Sequence, residues 1–400
     1  MPEVRDVRQT DCCIVGAGPA GATLALLLSR RGIPVVLLEE HRDLERDFRG
    51  DTIHPSTMEL MDQLGLADRL LALPHTKLSS FSFQTPSGPV TVADLSHLRT
   101  KFPYITFMPQ VRFLELIVGE ARQYPSCQVI MGAAVQELIK DDGVVRGVRY
   151  RSADGWHEVR APLTVGADGR FSRVRHLAGL EPVGTAPPMD VLWFRLPRHP
   201  DEPSGVGGRI GNGHMLVLLD RGNQWQVAYV IPKGTYRELH DAGLAAIRSS
   251  VAELAPELAD RVDQLADWKQ VSLLSVESSR APRWYRPGLL IGDAAHVMTP
   301  IGGVGINYAI QDAVAATNIL VGPFKAGRIR LRDVAAVQRR RELPIRVIQA
   351  VQGLIQRRVV SNALSGAQAF APPPFLRLPL LRDIPARIMA FGVWPVRLEQ

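Results

Sequence analysis

The run Cys12-Cys13-Ile14-Val15 is apolar at every position and stops at Gly16, the mark of a short strand buried on both faces. Residues 19–31 are rich in Ala and Leu and close at Gly32. That predicts a helix with proline in its first turn and glycine just past its end. Residues 33–38 form a second apolar run, ended by Glu39. Two later runs meet glycine in the same way, residues 163–165 before Gly166 and residues 289–291 before Gly292. A helix is expected over 58–64, closed by Gly65, and a longer one over 306–320. Elsewhere the pattern changes to alternation, in residues 78–84, 191–196, 214–219 and 224–231, punctuated by Gly, Pro, Asp and Asn. These predict strands of a mixed or antiparallel sheet.

The resulting expectation is an α/β chain in three parts. A Rossmann-like domain with a parallel sheet draws on residues 1–76, 105–180 and 280–325. An inserted mixed or antiparallel sheet domain takes 77–104 and 181–279, and a helical and Pro-rich region follows over 326–400. A chain of 400 residues suits two or three packed domains. Its 46% hydrophobic and 22% charged content belongs to a globular protein. Neither a secretory signal nor an apolar span of membrane length is read, so a cytoplasmic protein with no integral membrane segment is expected. Cys12, Cys13 and Cys127 form no disulfide framework, and no His/Cys set has metal-ligand spacing.

Three stretches carry the chemistry. Gly16-Ala17-Gly18-Pro19-Ala20-Gly21 joins the first strand to the first helix, and Glu39, beside Glu40, falls 18 positions after Gly21 (39 − 21). This is the strand, glycine turn, helix, strand and acid layout of a dinucleotide site. Gly16 serves the tight turn, Gly18 the close approach of a pyrophosphate, and Gly21 the packing of helix on strand. The helix N-terminus offers free N–H groups to phosphate, and Glu39 would hydrogen-bond a ribose. The second stretch is Gly166-Ala167-Asp168-Gly169-Arg170, and the third is Gly292-Asp293-Ala294-Ala295-His296.

In this order the three stretches resemble the FAD-dependent aromatic hydroxylases, single-component flavoprotein monooxygenases of the p-hydroxybenzoate hydroxylase type. The resemblance runs over about residues 10–325. It implies FAD as cofactor, NADPH or NADH as transient co-substrate, O2, and hydroxylation through a flavin C4a-hydroperoxide. It also implies Asp293 on the ribityl chain, and Asp168 with Gly169 on the flavin side and the nicotinamide path. Gln110 and Arg112 match a segment on the ribityl and phosphate side, and Arg49 matches an arginine beside the flavin. The turn Pro300-Ile301-Gly302-Gly303-Val304-Gly305, with Ile306 and Asn307, would bring backbone N–H groups to the pyrimidine edge of the ring. Arg49, His54 and Pro300 are the candidates for a catalytic part.

Substrate recognition is assigned to the inserted sheet, where Trp193, Phe194, Met215, Trp225 and Tyr229 stand on predicted strands. Period-two alternation sends only about half of them to one face. With no evident carboxylate clamp, a polyketide- or quinone-like ring is expected over a small benzoate. Baeyer–Villiger insertion, a flavin dehydrogenase or reductase, and a non-catalytic FAD-binding partner remain open at this point. The formal charge of +7 concentrates after Lys325, in Arg328, Arg330, Arg332, Arg339, Arg340, Arg341, Arg346, Arg357 and Arg358. Val334, Val337, Leu343, Val347, Val351 and Leu354 recur there at helical spacing without interleaved aromatics. The reading is a helix with one apolar and one basic face, not a nucleic-acid surface. A small-molecule substrate, a monomer or homodimer, and no further C-terminal domain complete the expectation. The Pro-rich stretch 371–374 is left as a pocket cover, a dimer contact or a membrane contact.

Overall fold

Cys12–Val15 and Val35–Glu39 are strands with every residue buried, as their unbroken apolar runs require. In the computed structural model, which describes residues 4–45, 50–202, 205–285, 288–364 and 383–399, they form the middle of a five-stranded sheet. Its order is Leu289–Leu290, Leu163–Gly166, Cys12–Val15, Val35–Glu39, Cys127–Met131, and every neighbouring pair is parallel. The register sets Gly166 beside Val15 and Leu290, so the three glycine-bearing turns leave the sheet along one carboxyl edge. That edge is where open parallel sheets bind ligands.

One face of this sheet is covered by the helices Pro19–Ser29 and Gly305–Lys325. Ala20, Leu24, Ala25 and Leu28 of the first meet Ala309, Ala313 and Ala316 of the second. Small residues on both sides bring the two helices close, and each buried leucine adds about 1.5–3 kcal/mol. The other face packs on a four-stranded sheet of Val4–Gln9, Gly155–Arg160, Val144–Ser152 and Ala134–Asp141, through Val148, Tyr150 and Val159. Among the described residues no helix is long and apolar enough to cross a membrane.

The inserted part is a seven-stranded mixed sheet. Its order is Ser272–Leu274, Met189–Pro197, Gln224–Pro232, His214–Asp220, Val206–Gly211, Ser80–Thr85, Gly88–Asp94. All pairs are antiparallel except Val206–Gly211 with Ser80–Thr85. Alternation divides its side chains. Leu192, Phe194, Leu216, Trp225, Val227 and Tyr229 pack on Ile247 and Val251 of the helix Leu244–Leu254. Val191, Trp193, Met215, Val217, Ala228 and Val230 occupy the opposite face with Phe83 and Ile301.

The basic C-terminal helix spans Leu331–Ile355; Val334 and Val337 are buried as expected, but the rest of its buried face differs from the expected one. Leu343 and Leu354 are 55% and 45% exposed, whereas Arg341 is wholly buried and Gln338 and Gln352 nearly so. An apolar-only reading misphases this helix because its inner face lies against backbone that needs hydrogen-bond partners. A last helix among the described residues, Ile384–Phe391, packs Ala386 and Ala390 on Ala93, Leu95 and Phe107, beside the helix Pro55–Gln63. His54 Nδ1 meets the Met389 carbonyl at 2.5 Å, Gln311 Nε2 donates to the Phe391 carbonyl, and the Val393 N–H donates to the Tyr308 hydroxyl. The Pro-rich stretch 371–374 lies outside the described residues.

Candidate functional site

The first glycine turn is shaped by close approach. Gly16 has φ +101°, and a Cβ there would stand 2.5 Å from the Ala167 carbonyl oxygen. A Cβ on Gly21 would stand 1.9 Å from the Gly16 carbonyl oxygen, beside Ala20 in the first helical turn. Gly18 differs: nothing lies within 4 Å of the Cβ it lacks, and its φ of −68° suits any residue. Packing therefore explains two of the three glycines, and the third faces open space. The helix behind it has Pro19 at its start and no side-chain cap, so its first N–H groups are available to an anion. Glu39 is buried beside the turn, accepting from Ala17 N–H at 2.9 Å and from His41 through backbone and ring. Glu40 is exposed.

The second stretch is tied to the third. Asp168 accepts from the Ser172 hydroxyl at 2.5 Å and from Val174 N–H at 2.9 Å, which fixes the short helix Arg173–Leu177. Burial raises the Asp168 carboxyl above its ordinary value, against the lowering by those donors. Gly169 takes φ +81° in the turn. Arg175 donates to the Ala294 carbonyl, inside the turn that carries Gly292 and Asp293. Gly292 N–H in turn donates to Asp312, whose other partners are His296 Nε2 at 2.6 Å and Arg341 Nε at 2.8 Å. Burial alone would raise the Asp312 carboxyl; His296 and Arg341, by charge and hydrogen bond, hold it below the usual carboxylate value. This ion cluster was not visible in sequence, where Arg341 read as part of a solvated basic face.

The third stretch continues to Pro300, exposed at the start of a turn in which Gly302 and Gly303 have φ +76° and +62°. Thr52 Oγ1 donates to the Gly303 carbonyl at 2.7 Å. Asn307 Nδ2 donates to the Thr52 carbonyl, while its Oδ1 accepts from His54 N–H and the Thr57 hydroxyl. Gly305 begins the following helix, which has no side-chain cap, and Ile306 packs against Gly50. His54, the histidine among the catalytic candidates, lies inside the protein. It is wholly buried, its pKa is lowered by burial to about 4, and it serves to hold Asn307 and the last helix. Gln110 starts the helix Gln110–Ala121 with its N–H on Asp51, and Arg112 is exposed beside Glu115. Arg49 lies outside the described residues.

Facing this turn is the inner side of the seven-stranded sheet. Trp193 and Met215 stand there, and Ile301 packs in the same cluster. Trp225 and Tyr229 are corrected. They occupy the outer face, where Tyr229 hydrogen-bonds Ser250 and His214, and Trp225 bonds Glu202. Gly208 lets the Phe83 ring lie flat on the sheet, since a Cβ there would be 2.0 Å from the ring. At one end of this wall Arg221 pairs with Asp51, close to Arg195, and joins the sheet to the glycine-turn domain.

A three-turn cradle with an open Gly18, an uncapped helix behind it and the buried Glu39 carboxylate at the end of the next strand fits an adenine dinucleotide carrying a flavin. The chain belongs to the FAD-dependent flavoprotein monooxygenases. A family model described as an FAD binding domain matches residues 9–350. The 6-methylpretetramide 4-monooxygenase of Streptomyces rimosus is 34% identical over 400 residues, spanning 98% of this chain and 95% of that one. A 12-dehydrotetracycline 5-monooxygenase/anhydrotetracycline 6-monooxygenase of the same species is 32% identical over 315 residues, 76% of this chain and 61% of that one. Among solved structures, the anhydrotetracycline hydroxylase of Streptomyces rimosus superposes with a TM-score of 0.75 at 25% identity, covering 98% of this chain and 78% of that one.

Proposed function

We propose that this protein hydroxylates a fused-ring phenolic substrate of the polyketide type, with NADPH or NADH as electron donor and O2 as oxygen source. The observation that carries the substrate reading is the inner sheet wall. From Met189–Pro197 to Ser80–Thr85 it crosses five strands, roughly 19 Å at about 4.8 Å per spacing. Trp193, Val217, Ala228 and Phe83 make it apolar. Val360, Ala363 and Leu364 pack on part of this face, and the half-buried Trp193, Val217 and Ile301 leave the remainder to a row of fused rings rather than a single one. The names borne by the relatives agree with that size.

Bound FAD supplies the redox and oxygen-transfer chemistry. The chain's own groups have separable tasks. Gly18 and the N–H groups of Ala20 and Gly21 would receive the pyrophosphate, and Glu39 the ribose. Asp293 would hold the ribityl hydroxyls, with Gln110 and Arg112 on the phosphate side. The N-terminus of Gly305–Lys325, with Ile306 and Asn307, would set its positive end against the flavin. Trp193 and Met215 would hold the substrate plane and keep water from the reacting carbon.

The test is anaerobic reduction of the protein-bound flavin by NADPH and by NADH, with fused-ring phenols added singly, followed by 18O2 turnover. Substrate-accelerated reduction and one 18O atom in the product are expected. A flavin that resists both nucleotides with every phenol, or a product without 18O, refutes the proposal.

A further inference from the structure

The helix Leu331–Ile355 lies outside the three cofactor motifs, yet it reads the backbone of the segment that carries one of them. Gln338 accepts from Trp284 N–H and donates to the Pro282 carbonyl. Gln349 donates to the carbonyls of Ser279 and Val297. Gln352, 2% exposed, donates from Nε2 to the Thr299 carbonyl at 3.1 Å and the Ile301 carbonyl at 2.8 Å. One amide thus grips the carbonyls on both sides of Pro300, a residue with no N–H of its own. Its Oε1 has no hydrogen-bond partner among the described residues. A buried amide with an orphaned oxygen is a costly way to fill space, since leucine would fill nearly the same volume. The two carbonyl contacts are what the amide contributes.

The turn itself needs an external hold. Gly302 and Gly303 follow each other with positive φ, a pair with wide conformational freedom. On the far side Thr52 and Asn307 fix the Gly303 carbonyl and the helix start. On the near side Gln352 holds the turn from the helix behind. We propose that Gln352 is a positioning residue for the flavin: it sets the Pro300 turn and, through it, the angle at which the N-terminus of Gly305–Lys325 meets the ring. This inference rests on the FAD placement proposed above. The amide dipoles at that N-terminus favour negative charge, so their placement tunes how readily the bound flavin accepts electrons.

The test compares wild-type holoprotein with Gln352→Leu, Gln352→Asn and Gln338→Leu. Gln338→Leu removes an equally buried glutamine from the same helix but leaves the Pro300 turn untouched. FAD affinity, thermal stability and the two-electron midpoint potential are measured for each. Both leucine variants are expected to lose stability. Gln352→Leu alone should move the bound-flavin equilibrium about tenfold toward the oxidised form, which is about 30 mV for a two-electron couple. Gln352→Asn keeps an amide one methylene shorter; it should shift in the same direction by less, and it decides the matter if the leucine variant does not fold. Bound-flavin equilibria within twofold of wild type for the Gln352 variants, a shift under about 9 mV, or an equal shift in Gln338→Leu, overturn the inference while leaving the proposed function intact. A wild-type chain that binds no FAD overturns both.

Discussion

Replacing Arg341 with methionine removes a cation from a site where neither partner sees water, Arg341 and Asp312 both being 0% exposed. Methionine keeps most of the side-chain volume, so the loss is electrostatic. The Asp312 carboxylate would keep only His296 and the Gly292 N–H, and Gln311 and the Tyr308 carbonyl would lose a donor each. Breaking a buried pair by removing one member costs about 3–5 kcal/mol, because the remaining charge stays desolvated. In the wild type the Asp312 carboxyl is held low, so its contribution to stability is present above the ordinary carboxylate value and lost only in stronger acid. In Arg341→Met, burial outweighs what remains and the carboxyl rises. The difference between variant and wild type should therefore shrink as pH falls from 7.5 to 5.5, where protonation relieves the stranded charge. Urea unfolding of the apoprotein at both pH values measures this. Adding Asp312→Asn to Arg341→Met should recover part of the loss. A loss under about 1 kcal/mol at pH 7.5, or a double variant as unstable as the sum of the singles, would refute the electrostatic account.

Gly18→Ala should fold as wild type yet bind FAD at least tenfold more weakly, because its methyl enters open space, whereas Gly21→Ala should lower apoprotein stability through its clash with the Gly16 carbonyl; fluorescence titration and thermal melts separate the two. His54 has its pKa depressed to about 4. Stability should therefore fall as pH drops from about 6.5 to about 4, by roughly 3 kcal/mol, and His54→Leu should flatten that slope in pH-dependent unfolding. Gly208→Ala should drive the Phe83 ring off the sheet and into the inner wall, raising KM for fused-ring phenols more than tenfold while leaving FAD affinity unchanged.

The glycine turns were legible in the sequence because their constraints are local. Gly16 and Gly21 are forced by atoms that the strand–turn–helix unit itself brings close, and the strand Cys12–Val15 begins and ends where its apolar run does. The inserted sheet was legible as strands but not as faces. Trp225 and Tyr229 look as suited to a pocket as Trp193 does, and only the position of the helix Leu244–Leu254 decides which side is core. The helix Leu331–Ile355 was legible as a helix and misread in its facing. Hydropathy cannot tell an arginine that faces solvent from one that neutralises Asp312, nor a glutamine on the surface from one that holds a proline turn. His54 is a catalytic candidate in sequence because a histidine beside the glycine-turn motifs carries chemistry by its type alone. Its burial depends on residues 335 positions away, at Met389.

That last distance has a consequence for how the molecule is made. The strand and helix that begin the cradle are synthesised first, but Met389, Phe391 and Val393 close over His54, Gln311 and Tyr308 only when nearly four hundred residues have been joined. Until then the His54 ring, the Gln311 amide and the Tyr308 hydroxyl lack these partners. Translation order thus makes these long-range contacts the latest to form among those that hold His54, Gln311 and Tyr308.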